Sequence, residues 1–187
     1  MSSWNAMTYE GKDTILRVVR EEAERMFAMA EAPGAWEAPT ACTEWQVRDI
    51  IGHIVDTTEG YFKAFETARS GGTAQAHGLP VMHELAGSGG KAFRDVPQAE
   101  MMGRIRADLD KMTGVLQQLT ADEWTGLLVP HAYMGPVPAF VYAGEAPAQR
   151  CTTARTKACP ESRSRGADGT LSSDPIWGSS IGRASGC

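Results

Sequence analysis

Met102, Ile105, Leu109, Met112, Leu116 and Leu119 recur three and four residues apart. That spacing puts all six on one stripe of a helix, the seam along which helices pack lengthwise in bundles. Asp95 is placed to cap this helix, with Pro97 just inside its start. Such a seam must be covered, and the chain offers two further long amphipathic helices. One runs from about Gly11 to Ala32, with Ile15, Val19, Ala23, Met26, Phe27 and Ala30 at helical period and "REEAER" opposite. "EAPGAWEAPTA" ends it through Pro33, Gly34 and Pro39. The other opens at Thr43, where Thr43 and Gln46 fit a capping box, and closes at "RSGGT". Its stripe is Val47, Ile50, Ile51, Ile54, Tyr61 and Phe65, continued by Ala68. Three such helices predict an all-α bundle, and 187 residues are enough for one domain with a real core.

Other segments are less regular. In residues 74 to 94, "LPVMHELA" fits a short helix that the glycines of "GSGG" interrupt. "TADE", Thr120 to Glu123, repeats the capping-box pattern and starts a short turn at Trp124. "LLVPHAYMGPVPAFVYA" carries three prolines and reads as a loop leading towards another helix, with His131 on the loop. After Ala143 the character changes: the final 44 residues hold four large apolar side chains, Leu171, Ile176, Trp177 and Ile181. They also carry six basic and four acidic residues, against 12 and 19 in the preceding 143. A segment of that composition buries too little to offset its ordering entropy. The expected organisation is a helical domain over residues 1–143 and a disordered or non-native tail over 144–187. A reading-frame change near residue 144 would produce so abrupt a shift; one uninterrupted native frame in re-sequenced source DNA would rule it out.

A net charge of −5 and a pI near 5.4 give no sign of a nucleic-acid or anionic-membrane partner. No apolar run reaches the roughly 18 residues needed to span a bilayer. The N-terminus lacks a basic stretch followed by an apolar one, so a cytoplasmic location is expected. Cys42, Cys151, Cys159 and Cys187 form no C-x-x-C pair and read as isolated thiols. Neither a nucleophile elbow, a P-loop nor a dinucleotide fingerprint is present.

His53 is the one residue of the second helix whose position asks for an explanation. At about 100° per residue it lies roughly 120° from the centre of the apolar stripe, at the edge of the core. It is either a core histidine with its hydrogen bonds met or one ligand of a metal completed from elsewhere.

The residues around it carry a resemblance. "APTACTEWQVRDIIGHIVD" contains Pro39, Cys42, Trp45, Val47, Arg48 and Asp49, with His53 four residues after the aspartate. This run resembles the metal-binding domain of mycothiol-dependent maleylpyruvate isomerases, in the DinB-like superfamily of four-helix bundles. The resemblance extends over roughly residues 8 to 142. It implies a DinB-like four-helix bundle and a divalent metal, zinc above all, with His53 as ligand. It also implies mycothiol as cosubstrate and a small molecule or thiol as substrate. The metal would act as a Lewis acid that lowers the thiol pKa.

The family's remaining ligands, an acidic residue and a histidine four positions on along the last helix, have no counterpart here. Glu145 stands near the expected place, but Pro147 breaks a helix and Gln149 holds the histidine's position. The last helix is therefore expected to be incomplete. Asp49 and Asp56, near His53 in helical angle, are candidates to orient it, and His131 is a candidate cleft residue or substitute ligand. His77 and His83 receive no role, Arg48 is expected in a salt bridge and Trp45 in packing. Two functions follow: a metal-dependent isomerase or thiol transferase, or a non-catalytic helical binding domain or inactive truncated family member. A homodimer through the face left by the missing helix, Leu109 at its centre, is one form of the second.

Overall fold

The computed structural model describes residues 5–145, which lie within one compact unit. The helices are α1 (Lys12–Ala30), α2 (Val47–Arg69), α3 (Met82–Lys91), α4 (Gln98–Gln117), α5 (Ala121–Gly126) and α6 (Val141–Glu145). A two-stranded antiparallel hairpin, β1 (Leu128–His131) and β2 (Gly135–Pro138), separates the last two. The expected 144–187 tail falls almost wholly outside the described residues.

The three long periodic segments are α1, α2 and α4, and they form the core. The α4 seam is buried throughout, with Ile105, Met112 and Leu116 at zero exposure. Val19 and Phe27 of α1 and Ile51, Val55 and Phe65 of α2 join it in one cluster. Leu109, expected at an open dimer face, is only 4% exposed. The chain covers that seam itself, so a dimer formed there is withdrawn.

Boundaries shifted where capping chemistry did. The α2 cap is Gln46 rather than Thr43, with Asp49 as its reciprocal partner one turn on. Pro97 stands just outside α4 as its cap instead of inside it. The Thr120–Glu123 box is present at the start of α5.

Two expectations failed for instructive reasons. "GSGG" does not interrupt a helix: α3 runs through it, because its last two glycines face another helix at close range. The three-proline segment is not a plain loop either. In a two-stranded hairpin both strands are edges, so Pro130, Pro136 and Pro138 sit where no ladder donor is required. Gly135, with φ 82°, supplies the left-handed residue that a short hairpin turn needs. Tyr142 of α6 fixes the hairpin to the bundle. Its hydroxyl donates to the Pro130 carbonyl at 2.8 Å, and its ring meets Tyr61 edge-on at 4.7 Å.

Candidate functional site

The first turn of α2 is held by an ion pair between the buried Asp49 and the exposed Arg94. Asp49 Oδ2 accepts from the Gln46 backbone N–H at 2.8 Å, and Arg94 grips both carboxylate oxygens at 2.7 Å. Desolvation is the largest single influence on Asp49 and raises its pKa. The Arg94 and Gln46 hydrogen bonds, with the Arg94 and Arg48 charges, together outweigh it and hold the carboxyl below its ordinary value. Asp49, expected beside His53 as an orienting carboxylate, thus uses both oxygens to fasten the segment after α3 to the start of α2. Arg48 reaches Glu37 at 3.4 Å, as a salt bridge.

Between these fastened ends α3 crosses α2 on glycine. A Cβ on Gly52 would lie 2.5 Å from the Gly90 carbonyl oxygen, and one on Gly90 would lie 2.8 Å from the Asp49 carbonyl oxygen. Only glycine at both positions lets the backbones approach so closely. A Cβ on Gly89 would run into the Asp56 carboxylate. This crossing sets α3 along the edge of α2 that carries His53.

The result is a cavity of about 480 Å³ with three walls. His53, Asp56, Thr57 and Tyr61 come from α2, His131 and Tyr133 from the hairpin. His77, Leu79, Met82 and Ala86 come from the stretch leading into and along α3. That size and mixture, apolar walls with a few converging polar groups, suits a small organic molecule. His53 is partly buried, its Nδ1 3.4 Å from the Thr57 hydroxyl and its ring edge-on to Trp45 at 5.3 Å. Trp45 therefore packs directly on the motif histidine, just before the helix begins.

His131 is buried at the end of β1, not solvated on a loop. Its Nδ1 accepts from the backbone N–H groups of both Tyr133 and Met134, at 3.2 Å each. A nitrogen accepting two donors carries no proton, so the ring's proton sits on Nε2. Asp56 is a cavity carboxylate whose pKa is raised, first by desolvation and then by the Glu59 charge, with Lys63 and Arg104 opposing.

The metal expectation can be compared with these donors. Among the described residues no three His, Cys, Asp or Glu side chains come together as a metal site. His131 is a poor substitute ligand, because its Nδ1 lone pair is already taken by two backbone donors. The described residues therefore do not complete a site around His53.

Of the expected residues, His53, Asp56 and His131 share the cavity, and Asp49 lies at the clamp. The sequence reading missed His77 and Tyr133. Tyr133 had a local signal, since "HAYMG" is a compact hairpin turn. His77 had none, because its position depends on a backbone hydrogen bond to Ala132, on the far side of both α3 and α4 in the chain.

The model of the mycothiol maleylpyruvate isomerase N-terminal domain matches residues 19–149. The chain belongs to this family. Its bundle is thus a DinB-like one, as the motif around His53 implied. Among curated proteins none matches by sequence. Among solved structures, the colibactin self-resistance protein ClbS, in a crystal structure with a double-stranded DNA, is similar in fold. It aligns with a TM-score of 0.60 at 12% identity, over 75% of this chain and 90% of that one. This corrects the expectation of no nucleic-acid partner. A bundle of the same fold has been crystallised on duplex DNA, and net charge sums the whole chain while a nucleic acid meets one face of it. As for membranes, no described helix is long and apolar enough to cross one.

Proposed function

We propose that this family member binds a small organic molecule or thiol in the cavity between α2, α3 and the hairpin. There it would serve as an isomerase or thiol transferase of the mycothiol-dependent type. One observation carries the reading: His53 of the family motif and the buried His131 line the same cavity. In this reading His53 is the ligand that the described residues offer a divalent ion, zinc above all, and water and the bound thiol would have to fill the other positions. His131, its Nδ1 held by two backbone donors, is read as a polar wall of the cavity rather than as a holder of the ion. Asp56, its pKa raised, is the cavity's candidate proton acceptor. Met82, Leu79 and Ala86 supply the apolar wall against which the carbon part of the molecule would lie.

The test is metal content per full-length chain by plasma mass spectrometry, with and without zinc loading, for the parent, His53→Ala and His131→Ala. Mycothiol-dependent isomerisation of maleylpyruvate is assayed on the same samples. Near-stoichiometric metal that is lost in His53→Ala and kept in His131→Ala, with activity lost in both, is expected. Negligible metal in all three, without isomerisation, would leave the alternative, a non-catalytic binding domain.

A second reading, binding of duplex DNA, is favoured by the fold shared with ClbS. Fluorescence anisotropy of a labelled duplex at low and moderate salt decides it. Saturable binding that weakens steeply with salt supports it, and a flat titration removes it.

A further inference from the structure

The wall that closes the cavity on the α3 side differs from the other two. From Ser70 to Gly89 no residue is buried, and the first buried residue after α2 is Gly90. Leu79 and Met82 line the cavity yet remain 60% and 43% exposed. Both ends of the stretch carry glycines with open surroundings. Gly71 has φ +72°, and a Cβ there or on Gly87 would meet nothing within 4 Å. Gly87 therefore has no packing reason to be glycine, unlike Gly89 and Gly90. Beyond Gly87 the chain is fastened: Gly90 lies on α2, Lys91 pairs with Glu44 at 3.0 Å, and Arg94 holds Asp49. In between, the His77 N–H donates to the Ala132 carbonyl at 2.8 Å and ties the stretch across to the hairpin.

We propose that residues 73–86 form a strap over the cavity, hinged at the Gly71 turn and at Gly87 and latched by the His77–Ala132 hydrogen bond. A segment with few buried contacts and one exposed latch opens locally at little cost while the core stays folded. Hinges are the few residues that absorb the backbone change, and unconstrained glycines do so readily. In the conformation described the strap is only part closed, since Leu79 and Met82 still face solvent. A molecule in the cavity would draw those two side chains onto itself, so occupancy favours the shut strap. The inference rests on the cavity's geometry and holds whatever chemistry takes place inside.

Opening is read at the latch itself. Backbone hydrogen exchange of the full-length protein is followed at the His77 amide, which donates to the Ala132 carbonyl, and across residues 81–86, with the α4 amides as the core control. Gly87→Ala adds a helix-favouring residue where nothing clashes. It is expected to slow exchange of the His77 amide and of residues 81–86 by about fivefold, the factor matching the Gly-to-Ala helix preference. His77→Pro removes the latch donor and is expected to speed exchange across residues 81–86 by about the same factor. Exchange in α4 should stay unchanged in both. Equal rates across residues 81–86 in the three proteins, or a faster rate in Gly87→Ala, would overturn the strap.

Discussion

Two helices pack against α2, and they do so by opposite means. α4 presents Met101, Met102, Ile105, Leu109, Met112 and Leu116, all buried. α3 buries a single residue, Gly90, and owes its place to backbone approach and to ion pairs at its C-terminal end. Large interdigitating side chains make a contact strong, at roughly 1.5–3 kcal/mol for each fully buried one. A glycine crossing makes a contact close without making it strong. The same helix α2 is thus anchored to a rigid core on one side and to a yielding cavity wall on the other.

The comparison breaks first if its two sides prove energetically alike. Ile105→Ala, at zero exposure in the α4 seam, is expected to lower unfolding free energy by about 2–5 kcal/mol in urea titrations. Leu85 on α3 is 39% exposed. Truncating it to alanine is expected to change the unfolding free energy little, by about 0.5 kcal/mol at most. Equal losses would mean that α3 is as integral to the core as α4.

Next in size is Gly52→Ala. Its Cβ would meet the Gly90 carbonyl oxygen at 2.5 Å, so α3 must move away. A loss of about 1–3 kcal/mol is expected. Hydrogen exchange should rise in α3 and stay protected in α4; uniform exchange throughout would show that the crossing is not a separate joint.

The third concerns two buried carboxylates, Asp49 in the first turn of α2 and Asp108 on α4. Asp49 is clamped by Arg94 and its pKa is lowered. Asp108 on α4 has its pKa raised to about 6, by desolvation first and then by the Glu59 charge across the seam, with Arg104 and Lys111 opposing. Its Oδ2 has no hydrogen-bond partner among the described residues. The folded protein therefore binds that proton more tightly than the unfolded chain does. The resulting stability is full below the ordinary carboxylate pKa of about 3.9 and is lost as pH rises through the folded value. Asp108→Asn is expected to gain about 1–2 kcal/mol over the parent at pH 7 and nothing at pH 4. A gap independent of pH would show that the carboxylate is solvated.

This contrast also accounts for what could be seen in the sequence. The α1, α2 and α4 helices were legible because side-chain burial writes a period of three and four into the chain. α3 was legible only in its first half, within "LPVMHELA", because the half that packs through Gly89 and Gly90 shows glycines where a core helix shows large side chains, and they read as a break. The hairpin was hidden by Pro130, Pro136 and Pro138, which mean a loop in most contexts and are admissible here because both strands are edges. At the site, His53 was visible from its motif. The burial of His131 and the whole contribution of His77 come from long-range contacts that no local pattern records. Asp49 was noticed for its angle to His53, while its actual partner, Arg94, lies 45 residues away.

With Gly87 helical and α3 unbent, the glycine crossing also acts as a fulcrum for the helix as a whole. Met82 stands eight residues before Gly90 on the same helix (90 − 82), or about 12 Å along its axis. A tilt of about 15° about that point would carry Met82 through about 3 Å, while Gly90 itself scarcely moved. The width of the cavity mouth is thus geared to an angle. Small differences in how tightly two backbones touch at Gly52 become large differences in what size of molecule can pass.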